Sequence, residues 1–165
     1  MSIGNFERCL AITLKWEGGY SNNPNDPGGA TNLGVIQREY DRWRDGKQLH
    51  RQSVRLITLD EARAIYRLNY WDAMQCDSLP LGYDLCVFDA AVNSGTGRAR
   101  TWRTAYPTIH AFQLGRLSFL QHLGRLWRVF GRGWASRVHG IETQALAMLQ
   151  PAAANTNVQP LKAAA

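Results

Sequence analysis

Apolar residues recur every three to four positions along almost the whole 165-residue chain, and no run of alternating β-branched residues interrupts them. The spacing predicts a first helix over about residues 3–17, with Phe6, Leu10 and Leu14 on one stripe and Gly18 as its stop. A second helix is predicted over about 33–45, carrying Val35, Ile36, Tyr40 and Trp43. Thr58 and Glu61 form a capping box ahead of "LDEARAIYRLNYWDAM", whose face reads Ala62, Ile65, Tyr66, Asn69 or Tyr70, and Ala73. "SLPLGYDLCVFDAAVNSG" reads as a buried helix over about 81–94, entered from Pro80 and ended at Gly95. Helices over 97–105, about 108–123 and 133–149 follow, separated by Pro107, Gly124, Gly131 and Gly133. The fold class expected is therefore all-α, a single domain, with room for a small hairpin in the loop after helix one.

That loop, residues 18–32, breaks the pattern. It is a long stretch of Gly, Asn, Pro and Asp, and loops of this length inside a compact domain are usually functional. Pro24 and Pro27 fix backbone angles, and the glycines open conformations closed to other residues. Two carboxylates frame it. Glu17 lies at the last turn of helix one, where the macrodipole disfavours negative charge, and burial against Trp16 or Tyr20 would favour its protonated form. Asp26, among hydrogen-bond donors, is expected to stay ionised. Carboxyls in contrasting environments are what cleavage of a glycosidic bond requires: one donates a proton to the leaving oxygen, the other supports charge or activates water. The bland alternative is a solvated helix-end Glu and a turn Asp.

Charge changes the picture of the C-terminal half. Residues 1–96 hold ten Lys/Arg against twelve Asp/Glu, whereas residues 97–141 hold eight arginines and no acid; the chain's net charge is +6. An anionic partner is implied: nucleic acid, a membrane surface or an anionic wall polymer. The chain divides on this basis into a catalytic region 1–95, basic helices 96–150 of the same domain that could bind the cell wall, and a tail 151–165 with no face to bury. Cys9, Cys76 and Cys86 are an odd count without metal spacing, so buried reduced thiols are expected, and the four histidines lack metal-type pairing. No metal or organic cofactor is implied. No apolar run is long enough to span a bilayer, and residues 1–19 lack a positive leader, so synthesis in the cytoplasm without a signal peptide is expected.

"KWEGGYSNNPNDPGGATNLGV" resembles the signature of glycoside hydrolase family 108, the N-acetylmuramidases of phage-type endolysins and bacterial wall hydrolases. "YRLNYWDAMQCDSLP", "VFDAAVNSGTGRA" and "FGRGWASRV" are similar to later segments of that family, in the same order, so the resemblance covers roughly residues 6–140. It implies a lysozyme-like helical fold, Glu17 as the catalytic acid and bacterial peptidoglycan as substrate. A Glu, an Asp nine residues on and then a Thr is also similar to the triad of phage-type lysozymes, which adds Asp26 and Thr31, although there the Thr comes one residue later. Tyr20 could stack on a sugar ring or pack in the core. The family's Thr-Asn element adds Asn32. Asp89 and Asn93 share a helix face that either braces a loop or lines a cleft, and the family motif favours Asn93 as a substrate contact. Arg116 and Arg137 could pair with Asp89 or with anionic wall components. Tyr70, Trp71 and Trp134 read as core. Two departures bear on wall binding: "TGRARTWRTAYPTIHAFQLGRL" is shorter than the family's loop there, and Ser136 stands where Asn is usual.

A monomeric wall hydrolase made in the cytoplasm would need a holin or an export machinery to reach the periplasm or wall. Two other classes remain open: a lytic transglycosylase working with Glu17 alone, and a basic helical module that binds nucleic acid or wall without catalysis. The acidic, glycine-rich loop argues against nucleic acid as partner.

Overall fold

The computed structural model describes residues 4–22 and 29–150, so Asp26 and the tail 151–165 lie outside the described residues. Seven α-helices and one two-stranded hairpin make up the order α1 (Phe6–Leu14), β1 (Thr31–Asn32), β2 (Val35–Ile36), α2 (Gln37–Gly46), α3 (Leu59–Tyr66), α4 (Tyr83–Ser94), α5 (Thr96–Ala105), α6 (Ile109–Gln121) and α7 (Arg125–Ala147). The mainly helical, lysozyme-like class expected from the pattern is the one observed.

Helix α4 is the centre. Every residue from Tyr83 to Ala91 is buried, so it carries no polar stripe, and α1, α5, α6 and α7 pack around it. Phe6 of α1, Trp71 and Phe88 of α4 meet edge to face, with ring centroids 5.4–5.9 Å apart. All three cysteines are buried and free, as the apolar setting of Cys9 and Cys86 suggested.

Three boundaries differ from the pattern. Residues 33–36 do not begin a helix: Leu33 and Gly34 turn the hairpin with φ of 49° and 73°, pairing Thr31 with Ile36 and Asn32 with Val35. Two consecutive positive φ angles form a tight hairpin turn that no helix can contain. The helix after the capping box does not keep its phase either. It widens into a π-helical turn over Arg67–Asp72, after which Met74 lies in the core and Ala73, which the stripe had placed there, is exposed; Trp71 is buried, as its reading as core expected. Finally, α7 starts at Arg125 and runs straight through Gly131 and Gly133. Gly131 is used there for close approach: the ring of Trp127 lies where a Cβ would stand.

Candidate active site

Glu17 lies just past α1, where the chain leaves the helix in tight turns: Lys15, Trp16 and Glu17 donate to Ile12, Thr13 and Leu14. Its side chain is one-fifth exposed. It fits against the hairpin turn, since a Cβ on Gly34 would stand 3.1 Å from both Cγ and Oε2 of Glu17 and closer still to the Tyr66 hydroxyl. Tyr66, the last residue of α3, donates that hydroxyl to the Leu33 carbonyl at 2.9 Å. Burial, then the charges of Glu17, Tyr70 and Glu39, push the phenol well above its ordinary range, so it remains a donor. The aromatic neighbours expected at Glu17 lie elsewhere. Trp16 rests on Gly140 of α7, and Tyr20, exposed, has the Arg55 guanidinium over its ring at 5.4 Å.

A chain of buried charge holds the other side of the acid. Oε1 of Glu17 forms an ion pair with Nη2 of Arg137 at 2.8 Å, and Arg137 donates from Nε and Nη2 to Asp89. Asp89, with no exposed surface, also accepts from Arg116 Nη1 at 2.7 Å, and Arg116 Nη2 donates to Asn93 Oδ1 at 2.9 Å. Burial would push the Arg137 guanidinium down, but Asp89 and Glu17 outweigh it and keep it above its usual value, firmly charged. Of the readings open for Asp89, Arg116 and Arg137, the structure therefore takes bracing: the three pair with one another inside the fold. Asn93, exposed at the end of α4, has no partner for its amide nitrogen among the described residues.

The remaining sequence candidates are spread around the hairpin. Thr31 exchanges backbone hydrogen bonds with Ser21 at 2.8 Å each way, and its hydroxyl donates to the Gly29 carbonyl at 3.4 Å. Asn32 donates its amide to the carbonyls of Val54 and Arg55, which ties the hairpin to the turn at Val54–Leu56. Beyond Tyr66 opens a groove of about 730 Å³ lined by Glu39, Trp43, Asn69, Tyr70, Gly95 and Thr96 among others. Glu17 does not line it; the Tyr66–Tyr70 ring pair, with centroids 5.6 Å apart, stands between the acid and the groove. Glu39 accepts from Asn69 at 2.6 Å and from the Tyr70 hydroxyl at 3.4 Å. Sequence reasoning missed Glu39 and Asn69. The spacing held a signal, because Glu39 lies one turn before Trp43 beside the apolar stripe of α2, but its partner sits in the π-helical turn that no pattern announced. Among the described residues no cluster of His, Cys, Asp and Glu could hold a metal ion.

Residues 10–95 match the family model described as Glycosyl hydrolase 108. Among solved structures, that of Brucella abortus SagA is similar with a TM-score of 0.77 and 31% identity, over 92% of this chain and 99% of its own. No curated protein matches. The family-model span contains Glu17, the hairpin, most of the groove and Asp89 with Asn93. On the sequence match and the structural likeness together, the chain belongs to the glycosyl hydrolase 108 family and is a glycoside hydrolase.

Proposed function

We propose that the protein is a peptidoglycan-degrading N-acetylmuramidase that hydrolyses the β-1,4 bond between N-acetylmuramic acid and N-acetylglucosamine, with Glu17 as general acid. The observation that carries this reading is the setting of the acid. Oε1 is buried against Arg137, while the side chain keeps a fifth of its surface beside the hairpin loop and within one tyrosine pair of a groove. Oε2 then carries the proton to the glycosidic oxygen as the C–O bond breaks. Asp26 supports the positive charge growing at the anomeric carbon or takes a proton from water, and Thr31 holds the water that bonds to that carbon. A positioned acid contributes about 10²–10⁴ in rate.

The glycan passes Glu17 at the hairpin and continues past the tyrosine pair into the groove, where Trp43 and Tyr70 offer ring faces to the C–H surfaces of sugars and Glu39 and Asn69 meet hydroxyls. Tyr20, Asn32 and Asn93 are further sugar contacts in this reading, with the side-chain oxygen of Asn32 and the amide nitrogen of Asn93 as the contacting atoms. The enzyme meets its substrate in the periplasm or wall as an endolysin does, and a holin or export machinery gives it access. The eight arginines of the acid-free stretch 97–141 draw it there by a salt-sensitive pull.

The test is hydrolysis of chemically defined peptidoglycan by the wild type and by Glu17→Gln, with mass spectrometry of the released muropeptides. Reducing N-acetylmuramic acid ends, and a loss of about 10²-fold or more in the variant, are expected. Products with 1,6-anhydro ends would make the enzyme a lytic transglycosylase instead, and undiminished activity of Glu17→Gln would remove the acid from the mechanism.

A further inference from the structure

The first two turns of α7 carry three adjacent stripes. Arg125, Arg128 and Arg132 fall at helical spacing on one; Leu126, Val129 and Gly133 on the next; Trp127, Phe130 and Trp134 on the third. Farther along the helix the third stripe is continued by Ile141, Ala145 and Met148, all buried in the core. Over its first turns that stripe overhangs the body. Phe130 is 52% exposed, Leu126 50% and Val129 67%. The aromatic trio packs on itself, with Phe130 and Trp127 5.7 and 6.5 Å from Trp134. The three arginines are exposed and make no ion pair among the described residues, whereas Arg116 and Arg137 are buried and ion-paired with Asp89. A shallow groove of about 490 Å³ runs beside them, lined by Trp127, Arg128, Gly131 and Arg132.

From this arrangement we infer that the first turns of α7 form a docking surface for an anionic lipid bilayer, lying in its headgroup plane. Apolar side chains without a protein partner beside unpaired cations are the composition of a helix that rests on a membrane, and no helix of the described residues is long and apolar enough to cross one. Charge chooses among the occupants. A second copy of the chain would set three arginines against three arginines across a two-fold axis. The one charged side chain of the chain's own residues 151–165, Lys162, is of the wrong sign. A nucleic acid or a soluble polyanion satisfies the arginines but gains nothing from covering Leu126 and Val129. Lipid rewards both: phosphates accept from the guanidinium groups, and Val129, Leu126 and Phe130 enter the acyl boundary. This site is separate from the hydrolytic one and stands or falls independently of it.

The full-length protein is mixed with vesicles of phosphatidylcholine alone or with about one third phosphatidylglycerol, at low and high salt. Binding is followed by cosedimentation and by quenching of tryptophan fluorescence with brominated lipid. Binding to the anionic vesicles at least about tenfold tighter than to neutral ones, and weakened by salt, is expected. Replacing all three arginines by Ser is expected to cost about a hundredfold, near fivefold for each. Leu126→Ser with Val129→Ser is expected to cost about tenfold and to abolish the quenching. Thermal unfolding of both variants checks that they are folded. Equal binding to both kinds of vesicle overturns the inference. So does a short DNA duplex that binds as tightly and is insensitive to the Leu126/Val129 pair. Self-association in sedimentation velocity that this pair abolishes would assign the face to a second copy and overturn it as well.

Discussion

Asp89 has no exposed surface and yet faces two guanidinium groups, Arg116 at 2.7 Å and Arg137 at 2.8 Å. With Glu17 on the far side of Arg137, the Asp89 carboxylate and the two guanidinium groups share a volume from which water is largely excluded. Removing one partner of a buried set strands the others, at a cost of about 3–5 kcal/mol. Asp89→Asn is therefore expected to destabilise by that amount in urea unfolding. Gly34→Ala tests the opposite side of the acid. Its φ of 73° alone costs a side chain about 1–2 kcal/mol, and the methyl would press on Glu17 and Tyr66. Assayed where the variant is still folded, activity is expected to fall by about tenfold or more, because small displacements of a positioned group are costly. The sequence spacing put Asp89 and Asn93 on one face and named Arg116 and Arg137 among their partners. It could not choose between partner and solvent, since the pairs close across 27 and 48 residues.

At the scale of elements, the hairpin is held by something other than its own ladder. Two strands of two residues each, with one bridge to Ser21, cannot be stable alone. Tyr66 ties the turn to α3 through the Leu33 carbonyl, and Asn32 ties it to the carbonyls at Val54 and Arg55. Tyr66→Phe leaves the Leu33 carbonyl without its donor, a loss of about 1–2 kcal/mol. Because the hairpin opens locally, hydrogen exchange at the Thr31 and Ser21 amides is expected to speed up by about tenfold, while amides of α4 keep their rates. Uniform acceleration throughout would show the bond to be part of the global core instead. Helix identity was legible in α1 from its apolar stripe and in α4 from a continuous apolar run bounded by Pro80 and Gly95. It failed where one residue more or less changes everything: the positive-φ turn at Leu33–Gly34, and the π-helical turn after which Met74 rather than Ala73 faces the core. Gly131 misled for another reason. A glycine between apolar residues reads as a stop, and here it makes room for the ring of Trp127.

Over the whole molecule, the arginine-rich, acid-free stretch and the family signature were plain in the sequence, and with them the fold class. How the two ends of the chain meet was not, because Arg137 reaches Glu17 only after α4, α6 and α7 have packed. A second long-range clamp joins α2 to α3. The capping box was visible as Thr58 and Glu61, but Glu61 also accepts from Tyr40 at 2.8 Å and Arg44 at 2.7 Å. Burial pushes the Glu61 carboxyl up, and the Thr58 N–H, the Tyr40 hydroxyl and the Arg44 charge together outweigh it, so the net displacement is downward. The sign of the pH dependence follows. Below about pH 4.3 an unfolded Glu61 takes up a proton while the folded one stays ionised, so the unfolded state binds more protons and stability falls with pH. The contribution is complete above the unfolded value and gone below the folded one. Glu61→Gln is expected to cost about 1–3 kcal/mol near neutral pH, since Arg44 and Tyr40 lose a charged acceptor. It is also expected to flatten the decline in urea-unfolding free energy between pH 5 and 3. An unchanged acid limb would mean that other carboxylates set it and that the clamp contributes through packing alone.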